Sequence, residues 1–351
     1  MQHFKFSIVF TIICLGVAFA FGGFQAVILA AILAVLEISL SFDNAVVNAS
    51  VLKRMSPVWQ QRFLTWGILV AVVGMRLLFP ILIVAFATDL HIKDVAEMAF
   101  NQPELYAEHL HDAHPFIAAF GGTFLLLVCF SFLFDEVRDV YWLGRLERKI
   151  QEIGKIDAVA TTLALLSLLL TYTLVLDLHK QDVLLGGVMG IFLYGVVGSL
   201  DRFFQVEETE LEDDEAPSAE IVKKGSIMAF LYLELLDASF SFDGVIGAFA
   251  ITRDIVVIML GLGIGAMFVR SLTVFLVNKG ALDEYVFLEH GAHYAIGMLA
   301  LIMLITTHTA IPELFTGLIG AAIITLSILS SIQYRKTQRI EHQYSSKHGD
   351  K

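Results

Sequence analysis

Apolar residues in this chain come in long runs rather than in the half-buried stripes of a soluble helix. Ten runs stand out, at about 6–23, 26–52, 63–87, 116–134, 158–178, 183–204, 226–250, 255–277, 292–310 and 312–333, with Pro312 dividing the last two. An α-helix needs roughly 20 apolar residues to cross a bilayer, and these runs are of that order. Lipid offers backbone groups no hydrogen-bond partner, so helices are the form such runs must take. The pattern predicts an all-α polytopic membrane protein with about ten transmembrane helices.

The polar breaks set an orientation. Lys and Arg mark the cytoplasmic side of short loops. The break after the second run holds Lys53, Arg54 and Arg62, and the break after the fourth holds Arg138, Arg145, Arg148, Lys149 and Lys155. Lys223 and Lys224 follow the sixth run, and Arg335 and Lys336 open the C-terminal tail. The alternate breaks carry only Lys93, Lys180 and Arg253. Both termini are therefore expected in the cytoplasm, with an external loop at about 88–115 that holds His91, His109, His111 and His114. Lys5, the apolar stretch after it and Ala18-Phe19-Ala20 resemble a signal peptide. The next run starts near Ala26, which favours an uncleaved first helix.

One pattern occurs twice. Glu37-Ile38-Ser39-Leu40-Ser41-Phe42-Asp43 returns 200 residues later as Asp237-Ala238-Ser239-Phe240-Ser241-Phe242-Asp243. Gly67 precedes Arg76 by nine residues in the third run, and Gly261 precedes Arg270 by nine in the eighth. His111 and His114 match His290 and His293 at an offset of 179. The expectation is a 5+5 repeat. An odd number of spans turns the second copy upside down, an arrangement found in transporters with a site near the midplane. The halves divide as residues 1–180 for the first repeat, 181–204 for the first helix of the second, 205–225 for an acidic cytoplasmic linker, 226–334 for the rest and 335–351 for a tail.

Composition narrows the function classes. The chain is 57% hydrophobic and 17% charged, against about 45–50% and 25% in a soluble domain. The formal charge of −12 resides mostly in extramembrane stretches such as Glu207–Glu215. No basic patch points to nucleic acid. The partners implied are the lipid bilayer and a cation. Cys14 and Cys129 lie in apolar runs and read as buried thiols, with no disulfide framework.

Intramembrane carboxylates cost about 2.5–3.5 kcal/mol each on insertion scales, so they need a reason. Glu37, Ser41, Asn44 and Asn48 share one helical stripe, while Asp43 lies about 100° away, nearer Ser39. Local unwinding around residues 39–43 would gather these oxygens. The second copy offers Asp237, Ser239, Ser241 and Asp243, with Gly244 and Ala248 where the first has Asn44 and Asn48. Carboxylates, amides and hydroxyls suit hard cations such as Mg²⁺, Ca²⁺ or Mn²⁺. These ten residues are the candidate metal ligands, with Arg76 and Arg270 as charge-compensating partners. A structural ion-pair network and a proton relay through the same acids are the competing readings. Secondary cation sites are candidates at His111 and His114 outside and at Glu289, His290 and His293 inside. Gly186, Gly187, Gly190, Gly195 and Gly198 read as a close-packing face.

The two motifs resemble the paired signatures of the TerC family of bacterial membrane proteins. The first runs from Glu37-Ile38 through Asp43-Asn44 to Leu52, Arg54, Pro57, Gly67 and Arg76. The second runs from Asp237 through Asp243 to Ala248-Phe249-Ala250-Ile251-Thr252 and Arg270. The histidine loop is similar to a divergent branch described as a domain of unknown function. The resemblance implies a multi-pass protein of the bacterial inner membrane that exports a divalent cation, manganese first, as substrate with no permanently bound cofactor. It carries over Glu37, Asp43, Asn44, Asp237 and Asp243 as ligands. Gly244 departs from the serine the family commonly has, and Ser41 and Ser241 replace small apolar residues. The alternative function is a membrane metal chaperone that loads exported proteins, with the secretion machinery or a second copy of the chain as partner. A hydrolase would need a His-Glu-x-x-His or Gly-x-Ser-x-Gly pattern, which is absent, so no enzyme is expected.

The orientation is testable by cysteine labelling from the external face. Labelling is expected at position 109 and not at position 212; the reverse pattern would overturn the inverted arrangement.

Overall fold

The computed structural model describes residues 4–53, 55–88, 90–135, 138–154, 156, 158–209 and 219–348. Within these helices some side chains lie outside the described set, among them Asp43, Ser239, Asp243 and residues 199–226. No strand occurs among the described residues. The helices are α1 (Lys5–Leu40), α2 (Phe42–Lys53), α3 (Pro57–Leu69), a π-helical segment (Val70–Leu78), α4 (Phe79–Thr88), α5 (Ile92–Asn101) and α6 (Pro103–Asp112). They continue as α7 (His114–Leu133), α8 (Arg145–Gly154), α9 (Val159–Leu174), α10 (Lys180–Thr209), α11 (Ala219–Ile251), α12 (Ile255–Asn278), α13 (Ala281–Glu284), α14 (Leu288–Thr306) and α15 (Glu313–His348).

Six helices among the described residues are long and apolar enough to cross a membrane, or eight if each of two bent pairs counts as one span. This is fewer than the ten expected, and the physical causes are local. The third run bends by 45° between Pro57–Gly67 and Val70–Phe86, and the fifth forms a helix of only 16 residues, Val159–Leu174, which meets Arg145–Gly154 of the preceding break at 97°. The helix Ala219–Ile251 is not among the six, and many of its side chains lie outside the described residues. The first run and the first part of the second merge into α1, which is counted once, and the rest of the second forms α2.

That helix is not straight. Gly22 and Gly23 leave helical geometry, and Gly23 has φ +65°, a conformation that glycine adopts without a Cβ clash. Residues 7 and 37 would be about 45 Å apart on a straight helix at 1.5 Å per residue. Yet the Ser7 hydroxyl lies 2.5 Å from that of Ser271, while Glu37 packs against Gly265. Both arms therefore run back along the same stretch of α12. Cys14, Ala34 and Ile264 form one small apolar cluster between them.

The chain breaks again at Ser41, between α1 and α2, within the 39–43 stretch where unwinding was expected. At the other end of the chain, helix stops at Thr306 and restarts at Glu313, so Pro312 does divide the last two runs. The expected external loop at 88–115 is instead a helical pair, α5 and α6. Val95, Ala99, Tyr106 and Leu110 of that pair are buried, and the Tyr106 ring stands 5.6 Å from that of Phe249. Polarity on the outer faces of the two helices hid a helical period on the inner ones. The acidic linker falls mostly on residues 210–218, outside the described residues; α10 extends to Thr209.

Helices α7 and α12 form the centre, with most of their residues buried. Around them, α1, α9 and α10 turn large apolar side chains outward, including Ile12, Phe24, Leu166, Leu170 and Phe192. Such a surface suits lipid and not water.

The α1–α12 contact relies on glycine. A Cβ at Gly261 would lie 2.6 Å from the Leu33 Cβ and 2.8 Å from the Ala30 carbonyl oxygen. A Cβ at Gly195 would meet no other atom within 4 Å. Gly261→Ala is expected to destabilise by about 1–3 kcal/mol. Gly195→Ala is expected to be neutral or to stabilise by about 0.5–1 kcal/mol. Thermal unfolding in detergent should rank them so, and equal effects would argue against the close approach.

Candidate functional site

In the first motif copy, Glu37 sits in the last turn of α1 and is buried. Its Oε1 accepts a charge-assisted hydrogen bond from Arg76 Nη2 and a second bond from the Ser41 hydroxyl at 3.2 Å. Arg76 is equally buried and stands on the π-helical segment. Its Nη1 donates to the Ala71 carbonyl, five residues back, at 2.6 Å. π turns are rare and recur at functional sites. Asn44 and Asn48 are buried on α2, and the Asn48 amide oxygen accepts no hydrogen bond. Ser39 turns away: it is exposed and returns its hydroxyl to Val35 O at 2.8 Å.

In the second copy, the guanidinium does not take the acid that the repeat alignment offers. Arg270 Nη2 donates to both carboxylate oxygens of Glu234, at 3.0 and 3.1 Å. Asp237, the counterpart of Glu37 in the repeat, lies one turn further on, with its Oδ2 3.7 Å from Arg270 Nη2 and without a hydrogen bond. Arg270 Nη1 bonds to the Phe63 carbonyl at 2.8 Å, and the cation stands 4.2 Å over the Phe63 ring. Ser241 is buried, and its hydroxyl has no partner. The side chains of Asp43, Ser239 and Asp243 lie outside the described residues.

The two copies interlock through missing side chains. A Cβ at Gly244, in the second motif, would come within 2.8 Å of Glu37 Oε2. One at Gly67, in the first half, would collide with the Arg270 guanidinium. Gly244 thus makes room for the acid of the other copy. Arg76 is also close enough to act electrostatically on Glu234, so the two pairs belong to one network. A cleft opens at the break between α1 and α2. Glu37, Ser39, Ser41 and Gly244 line it together with Met298 of α14 and Thr316 of α15.

The histidine candidates do not assemble. Among the described residues no three His, Cys, Asp or Glu side chains converge as a metal-ligating group. His111 and His114 stack with ring centroids 6.5 Å apart, at the junction of α6 and α7. His293 turns its Nδ1 to the Glu289 carbonyl at 2.8 Å and stacks on Phe132 at 4.0 Å. His290 points elsewhere, with Nε2 2.9 Å from Val140 O and 3.6 Å from Glu147.

Glu147 is a second residue that sequence reasoning missed. It lies in the basic break after the fourth run, yet it is fully buried. Its carboxylate accepts the amides of Trp142 and Leu143 at 3.0 and 3.1 Å and the Tyr294 hydroxyl, and it pairs with Arg138 at 3.7 Å. It fastens the 138–154 segment to α14. The signal for Glu234 was available: an acid one helical turn from a motif acid, inside an apolar run. Nothing in the sequence distinguishes Glu147 from a solvated residue.

Residues 42–338 match the family model described as a protein of unknown function, DUF475. The chain belongs to the DUF475 family. No curated protein and no solved structure matches it. The matched span of this DUF475 protein takes in Arg76, Glu234, Asp237 and Arg270, while Glu37 falls just before it.

Removing one partner of a buried ion pair leaves an uncompensated charge and costs about 3–5 kcal/mol, whereas replacing both by apolar residues can be nearly neutral. Arg76→Leu is therefore expected to destabilise the metal-free protein more than Arg76→Leu combined with Glu37→Leu. Additive losses in thermal unfolding would show the two to be uncoupled.

Proposed function

We propose that this DUF475 protein is an integral membrane transporter that exports a divalent metal cation, manganese first, through the acidic region where the two motif copies meet. The observation that carries the reading is a set of buried oxygens with no hydrogen-bond donor. Asp237 Oδ2, Ser241 Oγ and, on α2, Asn48 Oδ1 are buried without a donor, and Asp237 stands 3.7 Å from the Arg270 guanidinium. Burying a polar group without a partner costs free energy, more so for a charge. Oxygen acceptors of this kind suit a hard cation, which supplies charge and accepts lone pairs.

The resemblance to the TerC signatures adds the cation's identity and the direction of transport. On this reading the second copy enters the bacterial inner membrane inverted and both termini are cytoplasmic. Glu37, Asp43, Asn44, Asp237 and Asp243 are the principal ligands, with Ser39, Ser41, Asn48, Ser239 and Ser241 as the neighbouring oxygens. Arg76 and Arg270 keep the site's acids compatible with an apolar interior while the site is empty. The cation enters from the cytoplasm at the cleft and leaves when the halves rock about the site, as in repeat-built transporters.

Flux of Mn²⁺, Mg²⁺, Ca²⁺ and Zn²⁺ in proteoliposomes tests the reading directly, with Mn²⁺ expected to move fastest. Binding without flux would favour metal delivery to exported proteins instead. Asp43→Asn and Asp243→Asn keep size and an oxygen but remove a charge, so each is expected to abolish flux with metal-free stability unchanged or raised. A ligand at 100 times its Kd stabilises the state that binds it by about 2.7 kcal/mol. Mn²⁺ should stabilise the wild type in this way and fail to do so in both variants. A variant that keeps the wild-type shift would remove that aspartate from the site.

A further inference from the structure

We propose that Glu234 is a positioning residue whose task is to hold Arg270 away from Asp237, so that Asp237 stays open to the cation; this rests on the transport reading given above. Neither the duplicated motif nor the family match marks Glu234. It lies three residues before Asp237 on α11, and so on the same helical face.

The geometry sets two carboxylates in competition for one guanidinium. Charge-assisted N–H···O bonds are about 2.7–2.9 Å long. Arg270 Nη2 is near that distance from both oxygens of Glu234, at 3.0 and 3.1 Å, but stands 3.7 Å from Asp237 Oδ2. A shift of less than about 1 Å would let it bond Asp237 instead. Two further contacts fix the arginine where it is: the Phe63 carbonyl at 2.8 Å and the Phe63 ring at 4.2 Å. A planar guanidinium suits such a set of fixed contacts better than an ammonium would. Gly67 leaves the room it occupies. The outcome is a buried aspartate with an unbonded Oδ2, one helical turn from a buried serine hydroxyl that also lacks a partner.

If Glu234 loses its charge, the acid of α11 that remains within reach of Arg270 among the described residues is Asp237. The guanidinium then neutralises Asp237, and an incoming cation must displace it. If Arg270 loses its charge as well, no rival cation remains and Asp237 is open again. A pair that merely braced the fold would show its reversal in thermal stability, whereas the reversal expected here is in cation affinity.

The test is Mn²⁺ affinity, measured by titration of the full chain in detergent. Glu234→Gln is expected to weaken binding at least tenfold. Glu234→Asp, which keeps the charge, should stay within about threefold of wild type. The double variant Glu234→Gln with Arg270→Gln should also return to within about threefold of wild type. Wild-type affinity in Glu234→Gln overturns the proposal, and so does a double variant as weak as the single one. Should Glu234→Gln fail to fold, the double variant decides. Wild-type-like binding supports the proposal, whereas its own failure to fold would make the ion pair a structural need and overturn it. A wild-type protein that binds no Mn²⁺ refutes the transport reading itself, whereas binding that is indifferent to Glu234 refutes only this inference.

Discussion

Two guanidinium groups sit among apolar helices with no water to solvate them, and the arrangement of the centre follows from what they require. Arg76 needs an acid and finds Glu37, together with a carbonyl that a π turn brings into reach. Arg270 needs an acid and a carbonyl and takes them from opposite halves of the chain, Glu234 and Phe63. These bonds set which helices touch. They also explain why the residues beside the charged groups are glycines: Gly67 faces Arg270, and Gly244 and Gly265 face Glu37. A buried ion pair is weak evidence of stability, because a well-packed apolar pair does as well or better. Its retention in two places points to a use for the charges themselves.

Much of this was legible in the sequence. Charges inside membrane-length runs had to turn inward, and Glu37, Asp237, Arg76 and Arg270 are all buried. Glu37, Ser41, Asn44 and Asn48 are all buried, on both sides of the break at Ser41. The break at Ser41 falls where the crowding of polar groups suggested it. The chain's reversal at Gly22–Gly23 coincides with the gap between the first two apolar runs.

Other features left no mark on composition. A π segment has the same residues as an α-helix and differs only in which carbonyl each amide chooses. The segment at 88–115 looked like a loop because its outer faces are polar, although its inner faces carry Val95, Ala99, Tyr106 and Leu110 at helical spacing. Glu147 stood among basic residues in sequence but is enclosed by backbone amides and an α14 tyrosine in space. The repeat alignment also misled in one respect. It equated Glu37 with Asp237, whereas the acid that takes the arginine is Glu234. A displacement of three residues is nearly one helical turn, so the two acids share a face and the role moves between them without disturbing the packing.

That displacement makes the copies unequal in charge. The first copy matches one described acid, Glu37, with one guanidinium, Arg76. The second sets two acids, Glu234 and Asp237, against one, Arg270. Three buried carboxylates thus face two guanidiniums, and the duplicated motif adds two more acids, Asp43 on α2 and Asp243 on α11. An apolar interior does not tolerate such a surplus, because the desolvation of an unpaired carboxylate costs several kcal/mol. The surplus is met either by protons taken up on the acids or by a cation from outside. A divalent ion removes two charges at once and accepts the lone pairs of Asn48 and Ser241, which a proton on a carboxylate leaves unbonded.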